Sequence, residues 1–293
     1  MWIRRFNPLA LGAILALAAL LTLSGCSRIR LAYGSADLLL ASYADTYLGL
    51  DPGQRERWEP ELQRVLNLHR REELPHLAAF FDRALEASRA GFPSADTACL
   101  VATFRELYQR HAGLAVELAV PLLSDLGPTQ VQALEARFAR DLAEDRSPAG
   151  ANERELRQRA RRYQKAIEEW TGPLTAGQAA LVADLTARMP DTRDSVIAYR
   201  TRKRAELINL LRSGAGATTL QDFLTAWLVD YRDLPPDLRQ AGDRLEERLV
   251  ELVSRLGETL TPEQRAHLEQ RLTGLRGDLL KLQPDPRLAP LSC

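Results

Sequence analysis

Histidine and carboxylate side chains can bind a metal ion, and the sequence places four of them within eight residues. Positions 69, 72, 73 and 76 share one face of a helix, and Glu-x-x-His is a ligand spacing of di-iron helical bundles. The set consists of His69, Glu72, Glu73 and His76. We expect Pro75 to interrupt this helix, the sequence has no second Glu-x-x-His, and Arg70 and Arg71 disfavour a cation. We therefore predict a charged surface at a helix break and no metal site.

The common catalytic motifs are also missing from the sequence. It has no Gly-x-Ser-x-Gly nucleophile elbow, no His-Glu-x-x-His zinc motif and no phosphate-binding loop. Gly214-Ala215-Gly216 is not preceded by the strand that a dinucleotide site needs, and we interpret it as a linker. The sequence thus predicts no catalytic residue, no cofactor, no small-molecule substrate and no enzymatic activity.

One thiol, that of Cys26, has the surroundings of a lipid attachment site. Arg4 and Arg5 precede an almost continuous apolar run over 9–23. This run is shorter than the about 20 residues of a membrane-spanning helix, but it suits the core of a signal peptide. It ends in Leu23, Ser24, Gly25 and Cys26, which resembles the lipobox of bacterial lipoproteins. The alternative is an ordinary secretory signal with a chance cysteine.

The lipobox implies a location for the chain. Residues 1–25 would be removed, and acyl groups such as palmitate on Cys26 would hold the remainder at a membrane, stably if there are several of them. Ser27 stands where an Asp would signal retention in the inner membrane under the enteric sorting rule. We therefore expect a lipoprotein on the periplasmic face of the outer membrane.

Two further cysteines, Cys99 and Cys293, remain in the mature chain. In an oxidising compartment such a pair can form a disulfide. The bridge would attach the proline-rich tail to a helix. The alternative is two unpaired thiols, and nothing in the sequence brings the two positions together.

The charges of the chain are balanced, with 39 basic and 39 acidic residues. Removal of Arg4 and Arg5 leaves a small acidic excess, so the net charge gives no drive toward nucleic acid. One local basic run has few acidic neighbours and is a candidate for binding anionic lipid or an acidic partner segment. The run consists of Arg200, Arg202, Lys203 and Arg204. The alternative is a solvated helix face.

Helical periodicity dominates the sequence after Cys26, and strand-like alternation is nearly absent. Glycine and proline breaks separate the helical segments. We predict an all-α fold of long antiparallel helices. The apolar segment from Ile29 to Leu48 must either pack against the domain or rest on the bilayer near the lipid.

A short element recurs at helix starts. Thr or Asp at its first polar position can cap the helix, and Gln three residues later can bond back to the cap. The four copies begin at Leu50, Leu126, Leu174 and Leu260. Their spacing predicts two related helical halves, 26–148 and 149–283, before a tail at 284–293. The alternative is coincidence, because caps recur in any helical protein.

Several segments resemble known families. The lipobox and four later segments look like an uncharacterised family of proteobacterial lipoproteins, domain of unknown function 6279, which brings no established activity. Those segments are Leu31-Ala32-Tyr33, Ala36-Asp37-Leu38-Leu39, Leu50-Asp51 and Arg70-Arg71-Glu72-Glu73-Leu74-Pro75. The Leu-Thr-x-x-Gln copies at 174 and 260 are similar to elements of the Spy/CpxP family of periplasmic proteins, which are linked to chaperoning and envelope stress. Asp51 and Gly127 depart from that pattern.

These features favour a lipid-anchored, non-enzymatic binding protein, chaperone-like in that it holds envelope proteins in a helical groove. The first alternative is a scaffold that docks one membrane or periplasmic partner. A metal-dependent enzyme is the remaining alternative.

Overall fold

The computed structural model describes residues 28–145 and 152–291. Over these residues the fold is all-α, with no strand, as the periodicity predicts. The α-helices are α1 (Arg28–Gly34), α2 (Ala36–Leu48), α3 (Pro52–Leu68), α4 (Leu74–Arg89), α5 (Ser94–Ser124), α6 (Pro128–Asp145), α7 (Asn152–Thr171), α8 (Ala176–Ala187), α9 (Arg193–Arg212), α10 (Ala217–Leu224), α11 (Pro236–Thr259) and α12 (Pro262–Leu282). Two π-helical turns, His69–Glu73 and Thr225–Val229, follow α3 and α10.

The helix around Pro75 is not interrupted, and that expectation is wrong. The π-helical turn His69–Glu73 joins α3 to α4, and the amide of Leu74 donates to the carbonyl oxygen of His69. A proline cannot donate to the helical ladder, and its ring crowds the carbonyl four residues earlier. A wider turn just before the proline relieves that conflict and lets the helix continue.

Helix α5 is the central element of the fold. At 31 residues it is about 46 Å long. Its first part contributes Leu100 to an apolar cluster with α4, α8, α11 and α12. Its second part contributes Val116 and Val120 to a cluster with α6, α9 and α10. Each cluster therefore combines residues from both sides of position 149.

Two glutamine junctions hold helix starts together. In the first junction, Gln54 and Gln130 exchange side-chain amide hydrogen bonds of 3.1 and 2.8 Å. In the second, Gln178 and Gln264 do the same at 2.8 and 2.9 Å. Each glutamine also accepts from its own cap residue's amide. The four predicted caps thus meet in two pairs.

The two junctions also have their backbone carbonyl acceptors at equivalent positions. Each glutamine donates to a carbonyl oxygen two residues before the cap residue of its partner; these are the carbonyls of Asp125, Gly49, Thr259 and Pro173. The division into related halves stays a prediction, and its boundary at 148/149 lies outside the described residues.

The predicted tail packs on the π-helical turn as far as it is described. Ala289 donates its amide to the carbonyl oxygen of Pro75 at 3.1 Å, and Arg287 donates to that of Arg71 at 3.0 Å. The tail therefore covers the start of α4.

Candidate functional site

Helix α1 is attached to the domain through a chain of hydrogen-bonding side chains. The hydroxyl of Tyr33 lies 2.7 Å from Nδ1 of His69. Nε2 of His69 lies 3.1 Å from Nε2 of His111, and Nδ1 of His111 lies 2.6 Å from the carbonyl oxygen of Leu107. These contacts join α1, the π-helical turn and α5.

The acceptor at the end of this chain of hydrogen bonds determines which ring nitrogen of each histidine carries a proton. The carbonyl oxygen of Leu107 can only accept, so His111 carries its proton on Nδ1 and accepts at Nε2 when neutral. His69 then donates from Nε2 and accepts the Tyr33 hydroxyl at Nδ1. Burial, assisted by the neighbouring His111, lowers the pKa of His69 to about 4, and burial raises the pKa of Tyr33 to about 12. With these tautomers every donor of the chain meets an acceptor, and the low pKa keeps His69 neutral at pH 7.

The four residues weighed as metal ligands are used separately. His69 turns toward His111, and Glu73, which is 5 % exposed, accepts hydrogen bonds of 2.6 and 2.8 Å from Arg110. Glu72 lies 3.5 Å from Arg287. Within residues 28–145 and 152–291 no group of three or more potential ligands forms a metal site. The carboxylates thus neutralise arginines.

Helix α2 packs on one side only. Ala44 is buried, whereas Leu38, Leu39 and Tyr43 are 71, 59 and 65 % exposed. The exposed positions of this helix are uncharged and mostly apolar: Leu38, Leu39, Leu40, Ser42, Tyr43 and Thr46. We expected this segment either to pack against the domain or to rest on the bilayer. The packing seen here accounts only for the inner face of α2.

An apolar groove, which we call the first groove, lies beneath α2. It has a cavity volume of about 340 Å³ and is formed by α2, α3, α5, α6 and α9. Its lining includes Leu40, Tyr43, Trp58, Ala115, Leu118 and Leu207. The indole nitrogen of Trp58 donates to the carbonyl oxygen of Leu118 at 3.0 Å, which fixes the ring in the wall.

Arginines lie against aromatic rings that line the first groove. The guanidinium carbon of Arg137 lies 4.1 Å from the ring centroid of Tyr47, and its Nη1 donates to the carbonyl oxygen of Thr46 at 2.9 Å. Arg204 lies 4.7 Å from the ring centroid of Phe138. Arg204 is paired with Asp141, so Arg137 supplies the positive charge of this edge. Apolar walls with one cation at the edge suit an amphipathic ligand.

A second groove lies between α7, α11 and α12. Its cavity volume is about 310 Å³. Its lining includes Phe92, Tyr163, Ile167, Trp170, Leu249 and Leu268. Arg271 lies 5.2 Å from the ring centroid of Trp170. Each glutamine junction therefore has an apolar groove beside it.

The predicted basic run is engaged within the protein. Lys203 is 2 % exposed and donates to Asp233 at 2.6 Å and to Glu206 at 2.9 Å. Burial alone would lower the pKa of Lys203, but the two carboxylates raise it above its usual value. The other three members pair with carboxylates: Arg200 with Asp145, Arg202 with Glu206 and Arg204 with Asp141. Arg200 and Arg204 tie α9 to α6, Lys203 ties it to the segment before α11, and Arg202 pairs within α9. The ammonium group of Lys203 is buried, and a role of the run in binding a partner stays a prediction.

The predicted lipid and thiol sites are only partly described. Leu23, Ser24, Gly25 and Cys26 lie outside the described residues, so lipidation stays a prediction. Cys99 is disulfide-bonded, but its partner cysteine is outside the described residues, and pairing with Cys293 also stays a prediction. In the described part of the chain, no helix is both long and apolar enough to cross a membrane.

Sequence reasoning missed the contacts that define this region. His69 and His111 are 42 residues apart, and no local pattern signals their pairing. The apolar residues of α2 did signal an unusual segment, but they could not tell which of its faces packs.

Over residues 28–145 and 152–291 the fold is all-helical, and its surface includes the first and second apolar grooves. A family model matches residues 46–233, nearly two thirds of the chain, and the chain belongs to the Family of unknown function (DUF6279). The resemblance to this uncharacterised family is therefore confirmed, whereas its description as a family of proteobacterial lipoproteins stays a prediction. Neither the curated proteins nor the solved structures contain a match. The likeness to the Spy/CpxP proteins stays a prediction.

Proposed function

We propose that this protein is a lipid-anchored, non-enzymatic binding protein that takes up apolar groups at the periplasmic face of the outer membrane. Acyl groups on Cys26 hold it there. The observation that carries the proposal is the first groove, which opens beside the exposed apolar face of α2. A ligand site of this kind is concave and mostly apolar with a few charged groups at its edge.

A binding role is supported by the way the polar clusters are used. Glu73 pairs with Arg110, Lys203 pairs with Asp233 and Glu206, and His69 and His111 hydrogen-bond to each other. These groups are already paired with one another inside the fold. The remaining large feature next to the N-terminal helices is an apolar concavity.

A scaffold that docks one partner is the second candidate. The observation that favours it is an exposed aromatic pair on α5, Phe104 and Tyr108, which are 64 and 45 % exposed. Aromatic residues are enriched in protein–protein contacts. This pair does not line the first groove, so the two candidates can be tested separately.

The anchor is tested by metabolic labelling with radioactive palmitate and by membrane fractionation. We expect the native chain to carry label and to sediment with outer membranes. Cys26→Ala should abolish both, and Cys99→Ala, the matched control, should abolish neither. An unlabelled native chain that does not sediment contradicts the proposal.

The binding site is tested with a photoreactive phenylalanine introduced at one position at a time in the membrane-bound protein. We expect adducts from position 43 and none from position 156, where Leu156 is exposed on α7. Many protein adducts from position 43 indicate a chaperone-like role, and adducts of lipid size indicate lipid binding. One dominant adduct from position 104 with none from position 43 favours the scaffold.

A further inference from the structure

We propose that the first groove binds one acyl chain of a membrane phospholipid and that Arg137 lies beside the phosphate of its headgroup. This inference names the ligand class of the proposed binding site, and it rests on the proposed anchor because the anchor brings the groove to a bilayer. Four observations carry it: the chemistry of the walls, the cavity volume, the charge at the edge and the distance to Cys26.

The walls offer almost no polar partner. They belong to helices, whose backbone amides are bonded within the helix, and the lining side chains are apolar apart from the hydroxyls of Tyr43 and Tyr47 and the bonded indole of Trp58. An extended peptide in this groove would bury amide groups without hydrogen bonds, which is unfavourable. An acyl chain has no such groups, so the lining favours it.

The size of the first groove suits a ligand of this kind. A volume of about 340 Å³ lies at the lower end of the range of about 300–1,000 Å³ for small-ligand sites. One acyl chain in the groove leaves the other chain of the phospholipid in the bilayer. The exposed leucines of α2 beside the opening would meet that bilayer.

The edge of the groove carries a suitable charge. Arg137 is held by the ring of Tyr47 and by the carbonyl oxygen of Thr46, and neither contact neutralises a guanidinium. Guanidinium groups bind phosphate oxygens with two parallel hydrogen bonds. Because Tyr47 lines the groove, a phosphate at Arg137 places the attached acyl chain at the opening.

The opening is close to the proposed anchor. Two extended residues span at most about 7 Å, which is the longest possible reach from Cys26 to Arg28. Even if α1 and α2 were collinear, the twelve steps from Arg28 to Leu40 would add at most about 22 Å, because Ser35 between the helices is not helical and its two steps can be extended. Leu40 at the opening therefore lies within about 29 Å of an acylated Cys26.

The experiment uses Trp58 as a reporter inside the groove. The full chain, purified from membranes with Trp2→Phe, Trp170→Phe and Trp227→Phe so that Trp58 is its only indole, is reconstituted in phosphatidylglycerol vesicles containing lipids brominated along one acyl chain. Bromine quenches an indole at short range. We expect quenching of Trp58 although its side chain is only 5 % exposed.

Two matched variants show whether the chain enters the groove. Ala115 lines the groove and is exposed at its edge, so Ala115→Phe should fill the opening and raise the brominated fraction needed for half-maximal quenching about tenfold. Ala98 is exposed on the same helix away from the groove, and Ala98→Phe should leave that fraction unchanged. Equal quenching in both variants means that the bilayer only lies nearby, and this overturns the inference.

The phosphate contact has its own variant. Arg137→Gln should raise the brominated fraction for half-maximal quenching about fivefold, and Arg64→Gln, on the outer face of α3, should not. An unchanged value for Arg137→Gln removes the arginine from the proposal. Vesicle sedimentation is recorded in parallel: unsedimented native protein overturns the proposed anchor, whereas sedimented protein with unquenched Trp58 overturns this inference alone.

Discussion

The two glutamine junctions have the same hydrogen-bond pattern but different surroundings. In the second junction Gln178 and Gln264 are 3 and 6 % exposed, and both helices begin with a threonine cap. In the first junction Gln130 is half-buried and its cap position is Gly127, which has no side chain to donate or accept. The same hydrogen-bond pattern is therefore shielded from solvent in the second junction and partly exposed to solvent in the first.

The grooves beside these junctions differ in a related way. The first groove opens next to the exposed, uncharged face of α2 and within reach of Cys26. The second groove is bordered by α7, whose exposed face is rich in charged residues such as Arg157 and Arg161. The comparison teaches that the groove within reach of the proposed anchor is also the one bordered by an exposed apolar helix face.

The largest expected effect is on the second junction. Gln264→Ala would remove the donor to the carbonyl oxygen of Pro173 and to the side-chain oxygen of Gln178. It would also remove the acceptor of the backbone amide of Thr261 and of the side-chain amide of Gln178. Because unsatisfied buried groups are expensive, we expect a loss of about 4 kcal/mol in the free energy of unfolding, measured by urea titration. Gln130→Ala should lose about 1.5 kcal/mol, since water can reach its partners. Equal losses would contradict the contrast between the junctions.

The second prediction concerns the effect of pH on the hydrogen-bond chain that attaches α1 through His69. The pKa of His69 is about 4 in the folded protein and about 6.5 when unfolded. The unfolded chain therefore binds a proton first, so this contribution to stability is complete above pH 6.5 and is lost as the pH falls toward 4. The shift corresponds to about 3 kcal/mol.

The pH effect is measured as the free energy of unfolding at pH 7, 5.5 and 4.5. His69→Gln should remove most of the decline, and His267→Gln, a change at an exposed histidine, should keep it. A decline that persists in His69→Gln would show that the hydrogen-bond chain from Tyr33 to Leu107 does not depend on neutral imidazoles.

The smallest expected effects concern the caps. The hydroxyl of Thr261 accepts from the amide of Gln264 at 3.2 Å, so Thr261→Ala should lower the free energy of unfolding by about 1 kcal/mol. A β-carbon at Gly127 would meet only Gln130, at an ordinary 3.7 Å. Gly127→Ser should therefore add a cap and raise stability by about 0.3 kcal/mol. A loss on Gly127→Ser would mean that the first junction needs glycine for another reason.

Much of the fold follows from local sequence signals. Three of the four repeated elements form the predicted capping boxes at Asp51, Thr175 and Thr261, because a cap depends on residues three apart. The described glycine and proline breaks, such as Gly91–Pro93, separate helices as predicted. The pairing of caps 76 and 86 residues apart could not be predicted, since it depends on tertiary packing.

The candidate site was less predictable. Pro75 was expected to end a helix, yet a π-helical turn accommodates it. The binding role suggested by the basic run stays a prediction, but the sequence did not reveal that its members pair with Asp141, Asp145 and Asp233 on other parts of the chain. A charged residue's role depends on what packs beside it, which a local pattern does not contain.

The most direct test of the account maps contacts with a phospholipid that carries a photoreactive group in one acyl chain. Native protein in vesicles of this lipid is irradiated, digested and analysed by mass spectrometry. The account predicts adducts on the groove-facing residues of α2 and α5, such as Tyr43 and Ala115. Adducts confined to the second groove at Trp170, or none on a protein that is bound to the vesicles, would contradict it.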